Sequence, residues 1–166
     1  MKIGIVGGGT GGLVTALILK CRFSNIQIDL IKSDKIGIIG VGEGTTEHWN
    51  EFMRFCDISL KELLTETGAT FKYGVMFEGW TKEKYFHSVT QGLFDLKFGQ
   101  YLGGYAYAVK EKLNPKKYTC TPCFDFKIDS INLPYQYHFD TFKLNKFLLK
   151  KCKEKGVNII DDEIEE

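Results

Sequence analysis

The sequence predicts an α/β fold built on a doubly wound parallel sheet. A short apolar run at residues 3–6 leads directly into a glycine-rich turn at residues 7–12, after which apolar residues recur at helical spacing. A second apolar run at residues 26–31 completes a strand-helix-strand unit. Because this order of elements binds dinucleotides in such sheets, a dinucleotide is the first ligand to consider.

The glycine-rich turn fits the pattern G-x-G-x-x-G. In this pattern the first glycine makes the tight turn, the second lets the backbone approach a phosphate, and the third allows close packing of the helix. The start of the helix then presents unpaired N–H groups to an anion. We therefore predict that the diphosphate of the ligand is bound by Gly7, Gly9, Thr10, Gly11 and Gly12.

Composition indicates one globular domain that does not bind nucleic acid. The chain has 166 residues, of which 43% are hydrophobic, and its 22 basic and 21 acidic residues give a net charge of +1. There is no basic excess of the kind that neutralises nucleic-acid phosphates. The sequence shows no membrane span, and the glycines at 7–12 interrupt any secretion signal, so we expect a cytoplasmic protein without a membrane association.

The five cysteines indicate reduced thiols. Their number is odd and no secretion signal precedes them, which argues against a disulfide framework. Cys120 and Cys123 have the C-x-x-C spacing of a redox pair or half a zinc site. Because no second pair completes a tetrahedral set, we interpret them as part of a structural loop and expect no metal.

The end of the second strand departs from the usual dinucleotide pattern. An acid about 20 residues beyond the last glycine commonly binds the ribose, but Lys32 occupies that strand end. Ser33 or Asp34 could serve instead, and Lys32 could equally be a solvated lysine. Of these, Ser33 is the predicted cofactor-binding residue.

A second glycine-rich stretch, residues 36–46, follows and lets the backbone pass close to a flat ligand. The residues from Glu47 to Phe55 predict a helix, and Ser59 begins a capping box for another. We interpret the apolar residues of the first helix as core. They are Trp49, Phe52, Met53, Phe55 and Cys56.

Residues 70–77 alternate with a period of two, which places Lys72 opposite an aromatic sheet face. General burial statistics favour an exposed lysine there. Residues 81–134 have no clean period and predict a β-rich insertion. His87, within it, and His138, beyond it, are isolated in sequence, so packing or surface roles are expected for both.

The end of the sequence predicts a helix and a return strand, within the segment 135–166. Asp140 caps a helix from Thr141 to Lys155, and Gly156 ends it before an apolar strand. The final acidic residues are expected to be a solvated end. The predicted inward-facing residues of the helix are Phe142, Leu144, Phe147, Leu148 and Cys152.

Three segments, in this order, resemble a known family. They are the glycine turn at 7–12, the stretch at 40–45 with the sequence GVGEGT, and the stretch at 71–80 with the sequence FKYGVMFEGW. Together they are similar to the opening of flavin-dependent tryptophan halogenases, with phage-encoded members nearest. The second resembles the family's G-x-G-E-[AG]-T strap beside the flavin, and the third its K-x-G-x-x-F-x-x-W segment. Residues 135–140 match the family pattern as well.

The resemblance implies a Rossmann-like, FAD-binding fold of the glutathione-reductase type, here as its N-terminal part: residues 1–80 hold the dinucleotide unit, strap and lysine segment. It implies that FADH2, O2 and halide yield hypohalous acid, which meets the catalytic residue Lys72 before an electron-rich, indole-like substrate is halogenated. A separate flavin reductase would supply FADH2. The strap residues implied in cofactor binding are Val41, Gly42, Glu43, Gly44 and Thr45.

Two features depart from the family pattern. Residues 46–49 replace the usual Ile-Pro after the strap, and the family's W-x-W-x-I-P segment and later site residues are absent from this sequence. Two alternatives therefore stay open beside the halogenase. One is a flavin monooxygenase, which has no need of Lys72; the other is a truncated or split gene product, either an inert remnant or a flavin-binding module completed by a C-terminal polypeptide.

Overall fold

The computed structural model describes residues 1–46, 48–79, 82, 84–88, 110–112 and 135–164. The chain forms two compact units. The first contains Met1–Gly44, Trp49–Thr70 and Tyr137–Glu166, and the second contains Thr45–His48 and Phe71–Gln136. Most of the predicted insertion, including Cys120 and Cys123, lies outside the described residues.

The first unit contains the predicted parallel sheet. Its strands are β1 (Lys2–Val6), β2 (Gln27–Lys32) and β8 (Asn158–Asp161), in the order β1-β2-β8. Both pairings are parallel, so the predicted return of the chain to this sheet is confirmed. Ile28 and Leu30, on the central strand, are fully buried, as expected for a strand covered by helices.

Two helices, α1 (Thr10–Arg22) and α4 (Thr141–Glu154), pack together in this unit. Burial of each large aliphatic side chain stabilises the fold by roughly 1.5–3 kcal/mol. The predicted cap of α4 is confirmed, because the Asp140 carboxylate accepts hydrogen bonds from two backbone N–H groups at 3.0 and 3.1 Å. The buried apolar residues of the two helices are Leu13, Ala16, Leu17, Leu144, Phe147, Leu148 and Cys152.

One inward-facing prediction for α4 is wrong, because the Phe142 side chain is 57% exposed. It lies in the first turn of the helix, and its ring covers Gly40: a Cβ added to Gly40 would come within 2.2 Å of the ring. Phe142 therefore packs over the glycine-rich stretch, which leaves room for it only because Gly40 has no side chain.

Helices α2 (His48–Phe55) and α3 (Leu60–Thr67) follow the strap. The prediction that Phe55 belongs to the core is wrong, since it is 48% exposed while Phe52 and Met53 are buried. Phe55 is the last residue of α2, where the chain turns away. The capping box at Ser59 and Glu62 is confirmed.

An ion pair connects α3 with α4. The Lys151 ammonium lies 2.8 Å from a carboxylate oxygen of Glu62 and 3.2 Å from one of Glu154. Lys151 is buried, and both acids stabilise its charged form. The hydrogen bond from Lys151 lowers the pKa of Glu62 below its ordinary value.

The other strands in the described part of the chain form two small sheets. The first has the order β3 (Glu43–Gly44), β7 (Gln136–Phe139), β4 (Thr70–Lys72), and β3 is antiparallel to β7. The second pairs β5 (Gly74–Phe77) with β6 (Tyr85–Ser88), also antiparallel.

The prediction of one continuous alternating run over residues 70–77 is therefore wrong. The run breaks at Tyr73, and the strands on either side of it belong to different sheets. Because they pair with different strands, their side chains do not share one sheet face. No helix in the described part of the chain is long and apolar enough to cross a membrane.

Candidate functional site

The glycine-rich turn at the start of α1 has the geometry of an anion site. Gly7 has a φ of +116°, a conformation that favours glycine, and its N–H donates to the Ile31 carbonyl at 2.8 Å. Gly9 is the N-cap of α1, no side chain caps the helix, and its first turn contains no acid. The N–H groups of the helix start therefore keep their attraction for a negative charge.

The individual glycines differ in what surrounds them. A Cβ added to Gly12 would lie 2.0 Å from the Gly7 carbonyl oxygen, so no side chain fits where the helix packs against the turn. Around Gly9 and Gly11 an added Cβ would meet nothing within 4 Å. The turn is thus closed on its protein side and open beside these two residues, an arrangement that fits the diphosphate of a dinucleotide.

Sequence reasoning missed Asn145, which also holds this turn. Its amide nitrogen donates to the Gly8 carbonyl at 2.6 Å, and the residue is 8% exposed. Asn145 is one of the polar residues on the buried face of α4, beside Leu144 and Leu148. A polar residue between the apolar positions of a helical stripe is the signal that could have identified it.

The end of β2 is occupied by an interaction network. Lys32 pairs with Asp34 and lowers the pKa of that carboxyl. The Ser33 hydroxyl donates to Glu163 at 3.2 Å and accepts from the Ile36 N–H at 3.0 Å. The predicted cofactor residue Ser33 is thus engaged with protein groups, and its contact with a ribose stays a prediction.

The strap meets the glycine-rich turn through one hydrogen bond. The Thr10 hydroxyl donates to a carboxylate oxygen of Glu43 at 2.9 Å. Val41, two residues before Glu43, is 67% exposed, and Gly42 and Gly44 are also exposed. Thr10 and Glu43, which are 33 residues apart, are thus in contact.

Within the second unit, Lys72 meets the end of the strap. Its side chain is half-buried, and its Nζ donates to the Thr45 backbone carbonyl at 3.3 Å. Thr45 itself is buried. Lys72 therefore is not the freely exposed lysine that general burial statistics favour.

Gln136 is the second residue that sequence reasoning missed. It is fully buried, and its Oε1 accepts from the Thr45 hydroxyl at 3.1 Å. Its Nε2 has no hydrogen-bond partner within the described residues. An unpaired buried donor costs about 1–3 kcal/mol, so this residue needs an explanation. Residues 135–140 match the family pattern, but that match does not single out Gln136.

Among the described residues, no group of three histidine, cysteine or acidic side chains could hold a metal ion. Burial raises the pKa of the thiols of Cys56 and Cys152 to about 12, so neither supplies a thiolate near neutral pH. Within the described residues, the polar groups of the predicted site are those around the glycine-rich turn, the strap and Lys72.

Comparison with known proteins decides the family. The sequence profile described as "Tryptophan halogenase" matches residues 2–166. The chain belongs to the tryptophan halogenase family. The resemblance inferred from its three motifs is thereby confirmed.

Two curated relatives show how much of the family's length is present. Tryptophan 6-halogenase SttH of Streptomyces toxytricini is 27% identical over 197 residues, which cover 98% of this chain and 38% of SttH. The 7-chloro-L-tryptophan 6-halogenase KtzR of Kutzneria sp. (strain 744) is 40% identical over 77 residues, which cover 46% of this chain and 15% of KtzR.

The solved structures agree. Xcc4156, a flavin-dependent halogenase from Xanthomonas campestris, superposes with a TM-score of 0.69 and 27% identity over 99% of this chain and 36% of that chain. The structure of SttH gives the same values. The chain thus has the Rossmann-type α/β fold of this family, and it spans little more than a third of the length of these halogenases.

Proposed function

We propose that this chain serves the flavin-dependent halogenation of an electron-rich, indole-like aromatic substrate. The observation that carries the proposal is the hydrogen bond from Lys72 Nζ to the Thr45 carbonyl at 3.3 Å. It joins two of the family's motifs, which are 27 residues apart in the sequence. The bond holds the Lys72 amine beside the end of the strap.

FAD is the cofactor that fits the glycine-rich turn, within a fold of the glutathione-reductase type. The turn and the start of α1 hold the diphosphate, and the Thr10–Glu43 contact holds the strap beside them. A separate flavin reductase would supply FADH2, and its reaction with O2 and a halide ion would yield hypohalous acid, FAD and water. We propose that the reaction takes place in the cytoplasm.

The proposed task of Lys72 is to receive the hypohalous acid. Its ammonium can donate a hydrogen bond to the acid's oxygen and polarise the oxygen–halogen bond. Alternatively its neutral amine can form a nitrogen–halogen bond while water leaves. In either case the halogen passes to an aromatic carbon, which then loses a proton. An arginine could not take both forms, because its guanidinium stays charged.

The test uses the 166-residue chain with FAD, a flavin reductase, NADH, bromide or chloride, and tryptophan or indole. Products are identified by mass spectrometry, and FAD binding is measured by titration. We expect a halogenated product that requires halide, is lost in Lys72→Ala, and is not restored in Lys72→Arg, while FAD binding persists in both variants. An oxygenated product without halogen would instead identify a monooxygenase.

A second candidate is a flavin-binding module that acts only with a complementing polypeptide. It is favoured by the apolar side chains that the first unit leaves exposed: Val6 is 67%, Ile39 92% and Val41 67% exposed. For this candidate we expect saturable FAD binding without turnover. If the chain neither binds FAD nor forms a halogenated product, both candidates are contradicted. The chain is then best interpreted as an inert remnant.

A further inference from the structure

A chain of two hydrogen bonds connects a buried glutamine with the proposed catalytic lysine. Lys72 Nζ donates to the Thr45 carbonyl at 3.3 Å, and the Thr45 hydroxyl donates to Gln136 Oε1 at 3.1 Å. We propose that Gln136 is a positioning residue for the amine of Lys72 and acts through Thr45. The proposal rests on the role proposed above for Lys72.

The strands place the two residues on the same side. The rings of Phe71 and Tyr135 meet edge to face with their centroids 4.9 Å apart. Side chains alternate along extended chain, so the residues that follow them, Lys72 and Gln136, project to the opposite side. Thr45, which touches both, is 8% exposed, so its hydroxyl and its carbonyl lie in packed surroundings.

A substitution at the buried Gln136 distinguishes a role in positioning Lys72 from a role in the stability of the fold alone. Its Nε2 is a buried donor without a partner among the residues described, which destabilises the folded chain. Methionine has a similar length and removes that unpaired donor together with the acceptor of the Thr45 hydroxyl. If Gln136 served stability alone, Gln136→Met would alter only the melting temperature. If it positions Lys72, the substitution also raises the reactivity of the Lys72 amine, whichever way the melting temperature moves.

The experiment measures how fast individual lysines are acetylated by N-hydroxysuccinimide acetate, using peptide mass spectrometry on the folded chain. An amine held by a carbonyl reacts more slowly than a free one. In Gln136→Met we expect Lys72 to react about three- to tenfold faster, the effect of losing about one hydrogen bond. The exposed Lys143 provides the internal reference and keeps its rate.

Variants of Thr45 supply matched controls and stand in for Gln136→Met if that variant does not fold. Thr45→Val removes the hydroxyl and is expected to raise the rate at Lys72 by the same factor. Thr45→Ser keeps the hydroxyl and is expected to leave it unchanged. The double variant with Gln136→Met gives no further increase, because both changes break one connection.

An unchanged rate at Lys72 in Gln136→Met and Thr45→Val would overturn the inference. So would a rise that extends equally to Lys143, because that indicates general loosening of the fold. Labelling does not depend on turnover. Absence of halogenation by the unmodified chain, together with the expected labelling pattern, would therefore contradict the proposed function and leave the positioning by Gln136 supported.

Discussion

Two adjacent glycines of α1, Gly11 and Gly12, should respond in opposite ways to the same substitution by alanine. A Cβ at Gly12 lies 2.0 Å from the Gly7 carbonyl oxygen, more than 1 Å inside ordinary van der Waals contact. That oxygen belongs to the backbone of the turn and cannot rotate away. A Cβ at Gly11 meets nothing within 4 Å.

The magnitudes follow from two opposing terms. Overpacking costs about 1–3 kcal/mol, with the upper end expected for a rigid backbone neighbour, and replacing glycine by alanine in a helix stabilises it by up to about 1 kcal/mol. Gly12→Ala should thus lose about 2 kcal/mol and Gly11→Ala gain up to about 1 kcal/mol. For a chain of this size, each kcal/mol shifts the melting temperature by about 2–4 °C.

Thermal unfolding followed by circular dichroism measures both variants against the unmodified chain. The melting temperature should fall by about 4–8 °C in Gly12→Ala and rise by up to about 4 °C in Gly11→Ala. If Gly12→Ala melts at or above the temperature of the unmodified chain, the described packing of the turn against α1 is wrong. If the melting temperature falls by the same amount in both variants, the space around each glycine does not determine the effect of the substitution, and the reasoning is refuted.

Three further outcomes are expected. Asn145→Ala should weaken FAD binding in a titration and lower the melting temperature by about 2–8 °C, because the Gly8 carbonyl of the turn loses its donor. The control Asn158→Ala, at an exposed position, should leave FAD binding unchanged. The pKa of Glu62 is lowered in the folded chain, so its ion pair stabilises the fold fully above the ordinary pKa of 4.5 and is lost as the pH falls through the lower folded value. Glu62→Gln keeps the capping box but cannot lose this charge. Its melting temperature should therefore fall less on acidification than that of the unmodified chain. Alkylation of the folded chain with iodoacetamide at pH 8 should reach the half-exposed Cys21 before the buried Cys56, whose pKa is about 12, and equal rates by mass spectrometry would contradict this burial.

Local patterns predicted the strand-helix-strand unit well. Apolar runs and a glycine turn lie close together in sequence, and each needs only neighbouring residues to take its shape. The caps at Ser59 and Asp140 could be predicted for the same reason, since a cap binds N–H groups two or three residues away. The return strand β8 followed from its apolar run after a helix.

The predictions from sequence were wrong where residues distant in sequence determine what surrounds a side chain or a strand. Phe142 and Phe55 occupy apolar positions of helical patterns, but what each contacts depends on other segments of the chain. The break at Tyr73 has the same origin, because the strands beside it find partners in different sheets. Alternation along a sequence reports a strand and does not report which strand it pairs with.

By itself the sequence determined the α/β class, the glycine turn, the family motifs and the candidate lysine. The tertiary structure alone showed that Asn145 reaches the Gly8 carbonyl and that Gln136 reaches Thr45, across 137 and 91 residues of sequence. The physical reason is that these side chains act through single hydrogen bonds to distant groups. Such bonds follow no sequence period, because chain folding rather than local spacing brings donor and acceptor within 3 Å or so of each other.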